Sequence, residues 1–248
     1  MRSITLSGVL AVGALFAGVA SVSAQSPAPL ETAYAHVNFG GQGGSHDLVQ
    51  SGAFPLYDEN ALVTSKTGIG GGGVFDIGGG YRVWSQVYAG LSYSYTSDSS
   101  NADVTGSIPH PLRYDEFRAV TGNANGLKHK ESALHLQAVW RQPVTTKFDV
   151  ALSIGPTIYF ASQDVVKGLT IAEQPNGVVL TGVETESVND TTVGFNIGAD
   201  GTYLFSPRFG AGAFLRYAGG EASLDGTAGT VKLDLGGVQI GAGLRLRF

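Results

Sequence analysis

Residues 148–163, FDVALSIGPTIYFASQ, alternate apolar and polar side chains with a period of two. Phe148, Val150, Leu152, Ile154, Ile158 and Phe160 fall on one face, and Asp149, Ser153, Thr157 and Tyr159 on the other. A β-strand points successive side chains to opposite sides, so this pattern is a strand with one apolar face. Seven further segments alternate in the same way: 33–41, 71–83, 86–97, 131–142, 191–205, 208–221 and 230–248. Each approaches the ~9–11 residues that a tilted strand needs to cross a bilayer. The faces opposite the large apolar side chains carry Gly, Ser, Thr, Asn, Asp and Arg. A narrow barrel has to fill its own interior with side chains, and this small polar set fits there. The large apolar face does not fit inside and is left to meet lipid, whereas a soluble sandwich or lipocalin-like barrel would turn it inward.

The connections support the same architecture. WS, PVTTK and SP are short links between strands, whereas 42–70, 98–130, 164–190 and the shorter 222–229 lie between the other pairs. Short and long alternate strictly, as periplasmic turns and external loops do in membrane barrels. Aromatic residues collect at both strand ends. Trp84, Trp140, Phe148, Tyr203, Phe205, Phe209 and Phe248 fall near the short turns, and Tyr93, Tyr95, Phe160 and Tyr217 toward the long connections. Two such girdles mark two membrane–water interfaces. The predicted fold is all-β, an eight-stranded antiparallel up-and-down transmembrane β-barrel over 33–248, with both ends of the mature chain on the periplasmic side.

Residues 1–24 carry one basic residue, Arg2, then an apolar run, then Val22-Ser23-Ala24. This is the pattern of a secretory signal peptide cleaved after Ala24, with 25–32 as a flexible leader. The chain has no cysteine, which removes disulfides, thiolate metal sites and thiol nucleophiles. A net charge of −5 argues against a nucleic-acid partner. A hydrophobic fraction of 43% argues against disorder.

Few residues suggest chemistry. Gly68, Gly70 and Gly73 have GxGxxG spacing, but a strand pattern follows rather than the helix that a dinucleotide site requires. His36, His46, His110, His129 and His135 show no close metal-ligand spacing, so neither a metal nor a cofactor is expected. His36 and His135 lie on inward faces, where hydrogen-bonded filling of the lumen is the simplest role. His129, Glu131, Ser132 and His135 are the residues that a lipid-modifying enzyme would have to use, although the alternation points Ser132 outward.

The inward charges are the more informative set: Asp76, Arg82, Arg141, Asp149, Asp200, Arg216, Arg245 and Arg247. A buried charge is costly unless paired, so an ionic plug is predicted, in which Arg245 and Arg247 take Asp149 or Asp200 as partners. The competing reading is a narrow channel lined by the same groups. In the longest loop, His110, Arg113, Tyr114, Phe117 and Arg118 combine aromatic and Arg side chains with rigid prolines, a mixture suited to a binding surface. The alternative is a cap folded over the barrel mouth.

The chain closes on VQIGAGLRLRF, 238–248, in which apolar even positions alternate with Gly and Arg. With the signal peptide, the strand count and the loop alternation, this ending resembles the small Gram-negative outer-membrane barrels of the OmpA-transmembrane-domain, OmpX and OmpW type. The stretch 108–137 also resembles segments of uncharacterised barrels of this class. The resemblance implies that Phe248 is the assembly signal read by the barrel-assembly machinery. It also implies outer-membrane lipid and lipopolysaccharide as surroundings. The expected protein is a monomeric, non-enzymatic outer-membrane component with a structural or adhesive role exercised through loops 42–70, 98–130 and 164–190. A passive channel for small or hydrophobic molecules is the second expectation, and a lipid-modifying enzyme the third.

Overall fold

The computed structural model describes residues 30–44, 46–174, 177–226 and 229–248; the predicted signal peptide and residues 25–29 of the leader lie outside them. The described residues form ten strands. They are β1 (Ala33–Gly43), β2 (His46–Leu56), β3 (Glu59–Ile69), β4 (Gly73–Trp84), β5 (Val87–His110), β6 (Arg113–Pro143), β7 (Phe148–Gln174), β8 (Gly177–Leu204), β9 (Phe209–Gly226) and β10 (Gly229–Arg247). Eight of these close into a ring in the order β5-β4-β1-β10-β9-β8-β7-β6, with β6 returning to β5 and every pairing antiparallel. Closure of first on last strand runs from Tyr34↔Arg247 to Gly43↔Val238. At this seam a Cβ on Gly243 would lie 1.9 Å from the Val37 carbonyl oxygen, so only glycine permits the approach.

The outer face of the ring is an apolar belt. Phe39, Ile77, Leu91, Leu152, Ile154, Ile197, Leu215, Ile240 and Leu244 are all exposed, while Asn38, Asp76, Ser92, Asp149, Asn196 and Arg245 between them are buried. Water would penalise so large a contiguous apolar surface, whereas lipid does not.

The long connections read as external loops are themselves built largely of strands among the described residues. Segment 42–70 contains the β2–β3 hairpin, whose β3 pairs with the far half of β5, Leu62–Thr67 against Ala102–Ser107. Residues 98–130 extend the β5–β6 hairpin, 164–174 and 177–190 extend β7 and β8, and 222–226 and 229 fall in the extensions of β9 and β10. These extensions form a head beyond the ring, at the end opposite the short turns.

The reason is visible along β5. Even positions face inward throughout: Ser92, Ser94 and Thr96 in the ring, then Ala102, Val104 and Ile108 in the head, all buried. The alternation never stops, but its chemistry inverts. On β6, Gly126 adopts φ +72° where the pairing to β5 shifts register. This bulge moves the inward set from even to odd positions, so Ala124 and Leu127 both stay buried.

Inside the head, the sheet β2-β3-β5-β6 packs against the β7–β8 hairpin. Val63, Ala102, Val104, Ala124, Leu127 and Val166 form one cluster, with Phe54, Leu169 and Val183 against it. Ala61, Ile108 and Val120 form another nearer the tip. A third cluster lies at the junction of head and ring, where Leu48, Ile69, Tyr159, Leu224, Leu233 and Leu235 meet.

Candidate functional site

The ring holds its charged groups in tiers. Nearest the short turns, Arg141 Nη1 lies 2.9 Å from Glu31 Oε1 and 3.4 Å from Asp149 Oδ1. Arg247 contacts Glu31 at 3.5 Å and also pairs with Asp149. Above them Arg245 pairs with Asp200 and donates to Asn38 Oδ1. Higher still, Arg216 donates to Asp76 at 2.9 Å, to Gln239 at 2.8 Å and to Ser92 at 3.2 Å. Asn38 donates to the other Asp76 oxygen at 2.8 Å, where His36 Nε2 also lies 3.0 Å away. Four guanidinium groups thus face four carboxylates. Arg141 also stacks 4.3 Å over the Tyr34 ring. Confined ions without partners would cost several kcal/mol each, and here each has one.

What space is left is small. A cavity of about 60 Å³ lies among Tyr34, Asn38, Asp76, Arg141, Asp200 and Arg216, enough for a few water molecules. Above this level His135 bridges Ser94 (3.0 Å) and Thr157 (2.8 Å), and Asn196 donates to Thr157 at 2.9 Å.

Seven of the eight lumen residues read from sequence therefore find ionic partners, in two groups: Arg141, Asp149 and Arg247 around Glu31, and Asp76, Asp200, Arg216 and Arg245 above them. Arg82 joins neither; it is half-buried near the end of β4 and makes no ion pair among the described residues. Glu31 was missed. It falls in the segment read as flexible leader, yet it is buried, with its carbonyl accepting from the Tyr88 hydroxyl at 2.9 Å. Alternation could not find it, because it precedes the first strand; the excess of Arg over Asp among the inward charges was the available signal. Phe248 closes the chain beside β1, exchanging backbone hydrogen bonds with Ala33 at 2.8 and 3.2 Å, and its ring is exposed.

Of the residues considered for lipid chemistry, His129 and Glu131 lie 3.8 Å apart inside the barrel, but Ser132 does not join them. Ser132 is on the outer face, accepting from the Tyr93 hydroxyl at 3.0 Å. His129 and Glu131 are buried inside, His129 bonded to Gln163 at 2.9 Å and Glu131 accepting from the Gly236 amide at 3.0 Å.

The tip of the head divides its sequence-predicted residues into two groups. Arg118 is fixed: it donates to Glu173 Oε1 at 2.7 Å and to the Pro109 carbonyl at 3.0 Å, while Tyr57 donates to the same carboxylate at 3.1 Å. This joins the β2–β3, β5–β6 and β7–β8 hairpins. The Arg118 hydrogen bonds hold Glu173 below the usual carboxylate range, and the same contact raises Arg118. Arg113 pairs locally with Glu116 at 3.0 Å, and His110 Nδ1 accepts from the Leu112 amide at 3.1 Å. Leu112, Tyr114 and Phe117 remain on the surface, 87%, 79% and 46% exposed.

An eight-stranded ring with an apolar exterior and a paired ionic interior defines a small β-barrel of the membrane-spanning kind. No protein-family model and no curated protein matches the chain. Among solved structures it is similar to Neisserial surface protein A, at 14% identity over 88% of this chain and 97% of that one, with a TM-score of 0.45. It is similar to the outer membrane protein OprG from Pseudomonas aeruginosa, at 10% identity over 90% and 98%, TM-score 0.47. It is also similar to Ail, the attachment invasion locus protein of Yersinia pestis, at 13% identity over 88% and 100%, TM-score 0.38. At such identities the likeness is one of fold.

Proposed function

We propose that this protein is a non-conducting, monomeric barrel that displays its head outside the cell and uses the tip to bind a surface ligand, with both ends of the mature chain in the periplasm. The observation that carries this reading is the tip itself. Leu112, Tyr114 and Phe117 stay exposed on a head whose interior is apolar and whose hairpins are joined through Arg118 and Glu173. Rigid, exposed aromatic groups are the side chains that dominate binding surfaces, because little entropy is lost when they are covered. The test compares attachment of bacteria expressing the wild-type protein with those expressing Leu112→Ser/Tyr114→Ser/Phe117→Ser, at display levels matched by surface labelling. Attachment should fall to that of cells lacking the protein; undiminished attachment would remove the adhesive role.

The lumen supports the absence of conduction, since the cavity among its charged groups is about 60 Å³ and its ions are paired. In planar bilayers the wild-type protein should give no steady single-channel current. Large, sustained currents would favour the channel reading instead.

A further inference from the structure

The register of β5 to β8 aligns outward side chains into rows. Tyr95, Ser132, Phe160 and Thr191 form one row on the outer face, carrying two exposed aromatic rings. The next row toward the head is Ser97, Lys130, Ser162 and Asn189. Beyond it Lys128 stands opposite Ser99. Asp164 is nearby, its carboxylate taken up by the Lys128 backbone amide at 3.0 Å and by the Ser187 hydroxyl. Two residues along a strand span about 7 Å, so the two ammonium groups can close on one small anion.

Both lysines are exposed, and no carboxylate among the described residues lies within ion-pair distance of either ammonium group. Three other basic groups of the head do have such partners: Arg113 with Glu116, Arg118 with Glu173 and Lys232 with Glu221. Lys130 has hydroxyls instead, Ser97 on one side and Ser162 on the other. The β9–β10 side differs: there Glu221 is paired with Lys232, and exposed Asp234 adds a second acid. An aromatic row marks the depth of lipid headgroups, so the lysine row lies where headgroup phosphates do.

We propose that Lys128 and Lys130, with the hydroxyls of Ser97, Ser99 and Ser162, bind the phosphate of a phosphorylated lipid in the outer leaflet. This rests on the orientation proposed above, with the head outside. The lysines supply charge, the serines supply donors to the remaining phosphate oxygens, and the aromatic row packs against the acyl region below.

The test uses the full chain in phosphatidylcholine nanodiscs, with fluorescent lipopolysaccharide, its dephosphorylated form and inorganic phosphate as probes. Phosphorylated lipopolysaccharide should bind more tightly than the dephosphorylated form. Lys130→Gln should weaken it about fivefold and Lys128→Gln/Lys130→Gln about thirtyfold, with heat-modifiable gel mobility confirming a folded barrel. Lys232→Gln, on the acidic side, should change nothing. An unchanged affinity in the double variant would overturn the site, as would equal binding of the dephosphorylated form. Full competition by millimolar inorganic phosphate would overturn the lipid assignment. Orientation is read separately, by surface biotinylation of intact cells: an unlabelled head with nanodisc binding intact would overturn the orientation and the outer-leaflet assignment while leaving the phosphate contact standing.

Discussion

The ring and the head are built from the same strands and obey opposite rules. In the ring, β5 turns Leu91, Tyr93 and Tyr95 outward and Ser92, Ser94 and Thr96 inward. In the head it turns Asp103, Thr105 and Ser107 outward and Ala102, Val104 and Ile108 inward. Parity along the strand is unchanged; the solvent is not. Where lipid surrounds the strand, apolar side chains go out and polar groups must satisfy one another inside. Where water surrounds it, the hydrophobic effect holds two layers together in the usual way. The difference teaches that a strand's direction of burial and its chemistry are separate variables, coupled only through the medium outside.

That contrast can be broken at defined positions. The largest effect is expected in the ring, where Arg216→Ala leaves Asp76 buried without its cation. Loss of one partner of a buried pair should cost about 3–5 kcal/mol, measured by urea unfolding from lipid vesicles. The double change Asp76→Ala/Arg216→Ala should cost less than the sum of the two single changes, because no charge is then left alone. In the head, Ile108→Ala should cost about 2–5 kcal/mol through the cavity it opens. This loss should appear as faster hydrogen exchange in the head, with exchange in the ring unchanged.

Outward positions sharpen the comparison further. Leu91→Arg, near the middle of the belt, should destabilise the inserted barrel by about 2–4 kcal/mol. Thr105→Arg, on the same face of the same strand but in the head, should shift stability by no more than about 0.5 kcal/mol.

The smallest effect belongs to the tip. Glu173 is held below the ordinary carboxylate range by its Arg118 hydrogen bonds. A depressed native value means that the contact contributes fully above the unfolded carboxylate value and is lost as pH falls through the native one. Proteolysis at the hairpin tips should therefore rise under acid conditions in wild type, and Glu173→Gln should show that raised rate already at neutral pH.

Much of the ring was legible in sequence. The strand ends near the short turns, read at 83 and 142 and found one residue later at Trp84 and Pro143, the faces of Asn38, Asp76 and Asn196, and the pairing demanded by Arg245 and Arg247 all follow from period two and the cost of unpaired charge. The head was not legible on the same criterion. Its segments were read as loops because the search was for apolar residues facing out, and in 98–110 the apolar residues face in. Tyr114, Phe117 and Arg118 were named together as candidates for a binding surface, and nothing local separates the exposed rings from the fixed Arg118. Its partner Glu173 lies 55 residues away on another hairpin.

By itself the sequence determined which side chains share a face, because alternation is a local property of an extended chain. It also determined that inward charges must find opposite partners. Only the tertiary structure decided which partner each took, that Glu31 turns back beneath the lumen to face Arg141 and Arg247, and that Lys130 is flanked by Ser97 and Ser162. Those are consequences of register and closure, which bring together residues far apart in the chain and are fixed by the whole ring at once.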